Sequence, residues 1–351
     1  MAKPLNLIYG LSAENKILHI SEVLSGKSCN CICPACNTPL IAKKGNTKIH
    51  HFAHQTTETC EYGFETSLHM AAKEILSNAK TMSLPKATFN FKGMRRQKII
   101  SNERNINIDY VELERKTGNV IPDIIIYSGN KKFFVEIFVT HKIDKEKREK
   151  IKELNVSTLE INLSKERETL SIEDLKESLL GNNKNKYWAY HSGVEAYGKA
   201  LYSVAKKRRM FEDDYFYEYF TRGCPLRIFK RKRWTYYCAP NNYCYDCDYC
   251  IERNEEQKYV YCTGEQLIAD MSDFDISFEN RKQKCVEWLH DKDKCHVEDE
   301  ICPYCGGYLR SETKESDEFF KCVDCDFTAV YNKKTNRLNV MSFSHNRKYN
   351  Y

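Results

Sequence analysis

Apolar and polar positions alternate over residues 5–25 (Leu5, Leu7, Tyr9, then Ile17, His19, Ser21), which predicts a short hairpin. Leu68, Ala71, Ala72, Ile75 and Leu76 then recur at helical spacing, a stripe suited to lying on a sheet. From about residue 85 to 163 the pattern predicts strand, strand, strand, helix, strand. Its centre is two β-branched and aromatic runs, Ile121–Tyr127 and Phe133–Val139, joined by the turn residues Ser128-Gly129-Asn130-Lys131. A charged helix follows to Leu154, then a strand over Thr158–Leu163, a unit expected to cross over right-handed and extend the sheet in parallel. Residues 165–222 read mainly as helices, broken by the polar run Gly181-Asn182-Asn183-Lys184-Asn185-Lys186.

These elements predict an α/β protein in four segments. A hairpin and cysteine module occupies 1–62, an α/β core 63–180, a helical and cysteine-rich module 181–265, and a linker with a C-terminal cysteine module 266–351. No apolar run reaches the length of a membrane span, and the N-terminus lacks the charged-then-apolar layout of a secretory signal, so a cytoplasmic protein is expected. The chain has 17 cysteines, many of them in Cys-x-x-Cys pairs, and in a reducing compartment such pairs serve as metal ligands rather than disulfides. A net charge of +6 permits a polyanionic partner without requiring one.

A turn centred on Gly129 and Asn130 puts Asp123 directly opposite Glu136, on one face of the sheet. Opposed side chains in an antiparallel pair have Cβ atoms about 4.5–5.5 Å apart. Two carboxylates that close repel unless a cation neutralises them, and oxygen ligands suit Mg²⁺ or Mn²⁺. The alternative is that one or both acids lie at an exposed strand edge. Pro122-Asp123 followed by Glu136-x-Phe138 resembles the PD-(D/E)xK nucleases, with Phe138 where that pattern carries lysine. Lys142 shares parity with Glu136 but lies about 20 Å further along a straight strand, so it serves only if the strand bends after Thr140. On the preceding helix, Glu65 is placed to deliver a third carboxylate. His69 and Lys73, continuing the same line, are placed to bind phosphate or orient water.

The spacing Cys33-x2-Cys36-x17-His54-x5-Cys60 supplies four ligands for a tetrahedral structural zinc, with His51 as an alternative fourth and Cys29 and Cys31 as buried thiols. Cys29-x-Cys31-x-Cys33-Pro-x-x-Cys36, Leu40, Lys43-Lys44-Gly45 and His51-Phe52-Ala53-His54 together resemble the competence protein CoiA-like nuclease family. So do Glu65-Thr-Ser-Leu-His69-x-x-x-Lys73, Pro122-Asp123 and Glu136-x-x-x-Thr140-His141-x-x-Asp144, and the likeness covers roughly residues 5–165. The resemblance implies a restriction-endonuclease-like core and a role in DNA processing (competence, recombination, repair or phage defence). It also implies metal binding by Glu65, Asp123 and Glu136, with His69 and Lys73 nearby.

Two further zinc modules are expected. Cys302-x2-Cys305-x16-Cys322-x2-Cys325 has the spacing of a zinc ribbon, which serves protein docking as readily as nucleic-acid binding. A looser cluster offers Cys224, Cys247, Cys250 and Cys262, with Cys244 as rival ligand. Between the knuckles, Lys230-Arg231-Lys232-Arg233-Trp234 combines cations for phosphates with a ring for stacking, and Lys206-Lys207-Arg208-Arg209 lies upstream. The function expected is phosphodiester hydrolysis, with DNA as partner. The rivals are a DNA-binding protein that has lost cleavage and a zinc-scaffolded adaptor.

Overall fold

The computed structural model describes residues 6–56, 60, 62–140, 142–164, 171–213, 218–226, 238–291, 309–314, 317–322, 327–332 and 337–342. The chain divides into two compact units, Met1–Thr88 with Ile99–Glu195, and Phe89–Lys98 with Ala196–Tyr351.

Unit 1 opens with the expected hairpin, β1 (Tyr9–Leu11) antiparallel to β2 (Ile17–His19). A second antiparallel pair follows, β3 (Leu40–Lys43) and β4 (His51–His54). Helix α1 spans Gly63–Ser77 and buries Leu68, Ala71, Ala72 and Leu76, most of the stripe visible in the sequence. Each large aliphatic side chain buried this way contributes about 1.5–3 kcal/mol. Four short strands come next: β5 (Thr81–Leu84) pairs with β8 (Arg104–Asn107), and β6 (Ala87–Asn90) with β7 (Gln97–Ser101), where the chain leaves for unit 2 at Phe89 and returns at Ile99.

The central sheet of unit 1 has the order β13-β12-β11-β10-β9. Its strands are β9 (Tyr110–Leu113), β10 (Ile124–Ser128), β11 (Lys131–Phe138), β12 (Thr158–Asn162) and β13 (Lys186–Tyr190). β10 and β11 turn at Gly129, whose φ of 57° favours glycine, and their register runs from Ser128 opposite Lys131 to Ile124 opposite Val135. Helix α2 (Lys145–Leu154) is capped by Asp144, whose side chain accepts from the Lys147 amide, and ends at Asn155 in the left-handed conformation. It returns the chain to β12, parallel to β11, with Glu160 beside Glu136.

Both sheet faces are covered. Ile124, Ile126, Val135, Ile137, Leu159 and Ile161 join Leu68 and Leu76 of α1 and Ile8 and Tyr9 of the first hairpin in one core. Ile125 and Phe134 pack with Ile151 of α2 and Tyr190 in another. Burial on both faces explains why these strands read as continuous apolar runs rather than alternating ones.

The second half departs from the helical expectation. Helices α3 (Ile172–Lys176) and α4 (Ser192–Val204) are present, but Lys186–Tyr190 is β13, the edge strand antiparallel to β12. The polar run 181–186 is therefore a connection within unit 1, and the units part at Glu195/Ala196. Unit 2 is built largely from sheets. One has the order β16-β15-β14-β18-β17, with β14 (Lys206–Asp213), β15 (Glu218–Arg222), β16 (Cys238–Pro240), β17 (Cys250–Asn254) and β18 (Tyr259–Cys262). A four-stranded meander covers β19 (Leu309–Lys314), β20 (Asp317–Cys322), β21 (Thr328–Asn332) and β22 (Arg337–Ser342). Helices α5 (Asn241–Asp246) and α6 (Phe278–Asp291) complete it. The strand 206–213, basic in its first half, carries no turn signal at its start, so the run beginning in α4 reads on as helix. Among the described residues no helix is long and apolar enough to cross a membrane.

Lys186, 5% exposed, donates to the Ser83 carbonyl at 3.0 Å, and burial pushes its ammonium down to about 8. The unfolded chain binds more protons than the folded one between about pH 8 and 10.5, so stability rises with pH across that window. Below it the folded state bears about 3 kcal/mol for the buried charge. Lys186→Met is expected to stabilise the chain in urea unfolding at pH 7 by about 2 kcal/mol, after about 1 kcal/mol for the lost hydrogen bond. The gain should shrink towards pH 10; a pH-independent difference would contradict the buried charge.

Candidate metal centres

A strand pair, a knuckle and a helix start converge on the first centre. The β3–β4 hairpin presents His54, the knuckle Cys33–Cys36 lies before β3, and Cys60 precedes α1. One ligand atom from each of Cys33, Cys36, His54 and Cys60 lies within 4.8 Å of all the others, so the cluster could hold a metal ion. The Cys33 and Cys60 sulfurs are 3.9 Å apart, close to the separation of about 3.8 Å that two Zn–S bonds of about 2.3 Å subtend at a tetrahedral angle. His54 Nε2 is buried without a hydrogen-bond partner, a cost that coordination removes. Burial works against ionisation of Cys36, but the Thr38 hydroxyl and amide, with hydrogen bonds from Cys33 and Cys60, together lower its thiol to about 6, towards the thiolate that zinc takes. Burial pushes the Cys33 thiol up to about 11.

His51, the alternative ligand, instead bonds through Nδ1 to the Ile49 carbonyl at 2.8 Å. Cys29 and Cys31 are buried thiols that donate to the carbonyls of Leu40 and Cys29.

Gly63, the first residue of α1, closes the cluster. A Cβ there would meet Cys33 Sγ at 3.2 Å, Cys60 Sγ at 3.4 Å and His54 Cε1 at 3.7 Å. The positive end of the helix macrodipole thus abuts the sulfurs, which favours their anionic form.

The second centre lies at the end of the central sheet, where Asp123 immediately precedes β10 and Glu136 lies near the end of β11. Their positions continue the β10–β11 register by one step beyond Ile124 and Val135. Asp123 Oδ2 accepts from the Ile137 amide at 2.9 Å and from His69 Nε2 at 3.0 Å, while Lys73 Nζ lies 3.5 Å from Oδ1. Burial opposes ionisation of Asp123, but the His69 hydrogen bond and charge, the Ile137 amide and Lys73 together hold it down to about 2. Glu136 is 6% exposed. Burial and the Asp123 charge push its carboxyl up to about 7, against the opposing pull of Lys147, whose Nζ reaches Oε2 at 2.7 Å. Glu136 Oε1 is buried with no hydrogen-bond partner. The pair thus combines one firmly ionised carboxylate with one held back by burial and by its neighbour, and leaves a buried oxygen without a donor. A hard divalent cation fits that deficit.

His69 and Lys73, proposed from helical spacing, both reach Asp123. Glu65 sits one turn before His69 on α1, in its first turn. β11 ends at Phe138, and Lys142 Nζ lies 5.5 Å from the centroid of the Phe138 ring. The strand does not continue to carry Lys142 along the line of Glu136; the lysine that meets this carboxylate is Lys147. The charge run 145–152 reads from sequence as a solvated helix face, yet Ile143, Lys147 and Ile151 recur every fourth residue, and Ile151 is fully buried. That period was the available signal. Glu114 was also missed. It takes a left-handed conformation (φ 49°), donates its amide to the Asp123 carbonyl at 3.0 Å and binds Lys73 at 2.7 Å.

In unit 2, Cys224, Cys244, Cys247, Cys250, Cys262 and Cys285 are buried in one core. Cys250 and Cys262 face each other across β17 and β18, and Cys262 Sγ accepts from the Gly264 amide at 3.3 Å. Arg96 ties the knuckle down by donating to the carbonyls of Asp248 and Cys250. Burial and neighbouring cysteines push the Cys244, Cys247 and Cys250 thiols upward. Both the preferred ligands and the rival Cys244 therefore share this core. Of the zinc-ribbon set, Cys322 ends β20 and is buried, whereas Cys302, Cys305 and Cys325 lie outside the described residues, as do Lys230, Arg231, Lys232, Arg233 and Trp234.

Residues 16–63 match the family model for the N-terminal domain of competence protein CoiA. The matched stretch runs from the eve of β2 to Gly63 and so contains all four ligands of the first centre. No curated protein and no solved structure matches the chain.

Cys60→Ser is expected to lower bound zinc by one ion per chain in elemental analysis. Gly63→Val, which leaves all four ligands in place, is expected to weaken retention against a chelator by about 10-fold to 100-fold. Unchanged zinc in Cys60→Ser would remove the site.

Proposed function

We propose that unit 1 is a divalent-cation-dependent nuclease of the PD-(D/E)xK type, and that the CoiA-like cysteine module is a structural zinc site that anchors its helix α1. The observation that carries this reading is the carboxylate pair. Asp123 is held ionised by His69 and the Ile137 amide, and it lies beside a buried Glu136 with one oxygen unsatisfied. Mg²⁺ or Mn²⁺, when bound by these acids, would supply a polarised phosphodiester and an activated water.

The chain's own side chains have distinct parts in this reading. Lys147 occupies Oε2 of Glu136 and leaves the buried Oε1 as the oxygen without a donor. It thereby brings a cation to the carboxylates from a helix, in place of the lysine that Phe138 displaces on the strand. Lys73 adds positive charge at the opposite side of Asp123, where a phosphate would be drawn. His69 fixes Asp123 by hydrogen bond. Glu65 is retained as a third acid on the strength of the family resemblance. A second zinc among the buried cysteines of unit 2 belongs to the same reading, as a staple for that unit. Phe138 at the customary lysine position favours the rival, a nucleic-acid-binding protein without cleavage.

The test is cleavage of single- and double-stranded DNA with Mg²⁺ or Mn²⁺. Asp123→Ala and Glu136→Ala are expected to lower the rate by about 100-fold or more, and Lys147→Ala to do likewise. Lys142→Ala should leave it unchanged. Cleavage that survives in Asp123→Ala would defeat the proposal, and binding without cleavage by the wild-type chain would select the rival.

A further inference from the structure

The sheet of unit 2 has a core face, whose cations Lys206 and Arg208 are paired with Glu265, and an outer face of different chemistry. β14 and β18 are antiparallel, with Lys206 opposite Cys262, Lys207 opposite Tyr261, Arg208 opposite Val260 and Arg209 opposite Tyr259. Strand alternation sends Val260, Cys262 and Met210 into the cysteine-rich core. Lys207, Arg209, Tyr259 and Tyr261 share the other face, the two cations exposed and the two rings half-buried. β17 continues this face, with Glu252 opposite Tyr261 and Asn254 opposite Tyr259.

The rings are held in place. Tyr261 meets Tyr202 of α4 and Tyr259 edge-on, each at a centroid distance of 5.5 Å. Glu252, 8% exposed, accepts from the Tyr202 hydroxyl and, at 3.1 Å, from the Tyr259 hydroxyl, with Lys92 Nζ 3.8 Å away. Two hydroxyls and the Lys92 ammonium thus surround its carboxylate. Lys207 Nζ lies over the Tyr259 ring, 4.1 Å from its centroid. A ligand with both a base and a phosphate matches both halves of that contact: the phosphate draws the ammonium off the ring, and the base takes the ring face it leaves.

We infer that this face binds single-stranded nucleic acid, with bases stacked on Tyr259 and Tyr261 and phosphates on Lys207 and Arg209. Paired bases in a duplex have no free face to offer a sheet-mounted ring, so the single strand is the form selected. The site is remote in role from the carboxylate pair, and its occupation requires no cleavage.

Full-length protein carrying Asp123→Asn, which blocks turnover in the proposed nuclease, is titrated into fluorescein-labelled (dT)20, (rU)20 and a 20-base-pair duplex, read by anisotropy over a range of salt. Expected is binding of a homopolymer well ahead of the duplex, the stronger of the two strands naming DNA or RNA. Tyr261→Leu should weaken binding about tenfold while Tyr261→Phe, which keeps the ring, does not. Lys207→Ala with Arg209→Ala should flatten the log–log salt dependence by about 1.4, two phosphate contacts' worth for a single strand. Lys206→Ala, whose ammonium pairs with Glu265 on the other face, should change neither. Duplex bound as tightly as single strand, or Tyr261→Leu bound as tightly as the parent, overturns the inference while leaving the cleavage test of unit 1 untouched.

Discussion

The Ile137 amide donates to Asp123 Oδ2, and much of unit 1 can be read outward from that hydrogen bond. It pins an aspartate just before β10 to the strand that carries Glu136, so two like charges face each other at the end of a sheet whose interior is aliphatic. Such a juxtaposition is costly in isolation. The surrounding elements are arranged around the cost: α1 brings His69 and Lys73 to Asp123, and α2 brings Lys147 to Glu136. The apolar cores on the two faces of the sheet hold those helices where their cations meet the acids.

That arrangement was largely legible where one residue's position dictates the next. A turn at Gly129-Asn130 sets the register of β10 against β11 as far as Ile124 opposite Val135, and the next step along brings Asp123 and Glu136 to the same level. Helical spacing likewise put His69 and Lys73 on one line, and cysteine spacing selected the four ligands of the first centre. Legibility stopped where long-range docking decides. Lys147 is one cation among many in a charged helix, and only the burial of Ile151 four residues on marks its side as inward. Glu114 follows a strand with no sequence signal and takes a left-handed backbone that few residues favour. The strands after residue 186 were misread because their partners lie far away in the chain, β14 pairing with β18 across about fifty residues.

Unit 2 shows how a poor helix pattern becomes a good sheet. Val260, Cys262 and Met210 alternate with Lys207, Arg209, Tyr259 and Tyr261, so a run that looks merely basic and aromatic separates into a core side, where Lys206 and Arg208 are paired with Glu265, and an outer side once β14 meets β18. The thiols on the core side are small, soft and nearly apolar while protonated, which lets the same residues serve as core and as ligands.

The contact of Gly63 with the Cys33 and Cys60 sulfurs makes residues 63–69 a ruler. Each residue of an α-helix advances the chain by about 1.5 Å and turns it by about 100°. One residue gained or lost between the cysteine anchor and His69 would swing the imidazole about a quarter-turn away from Asp123, however well the helix itself tolerated the change. Evolutionary length variation in this protein should therefore gather in loops such as the one between Lys43 and His51, and spare the stretch from Cys60 to Lys73.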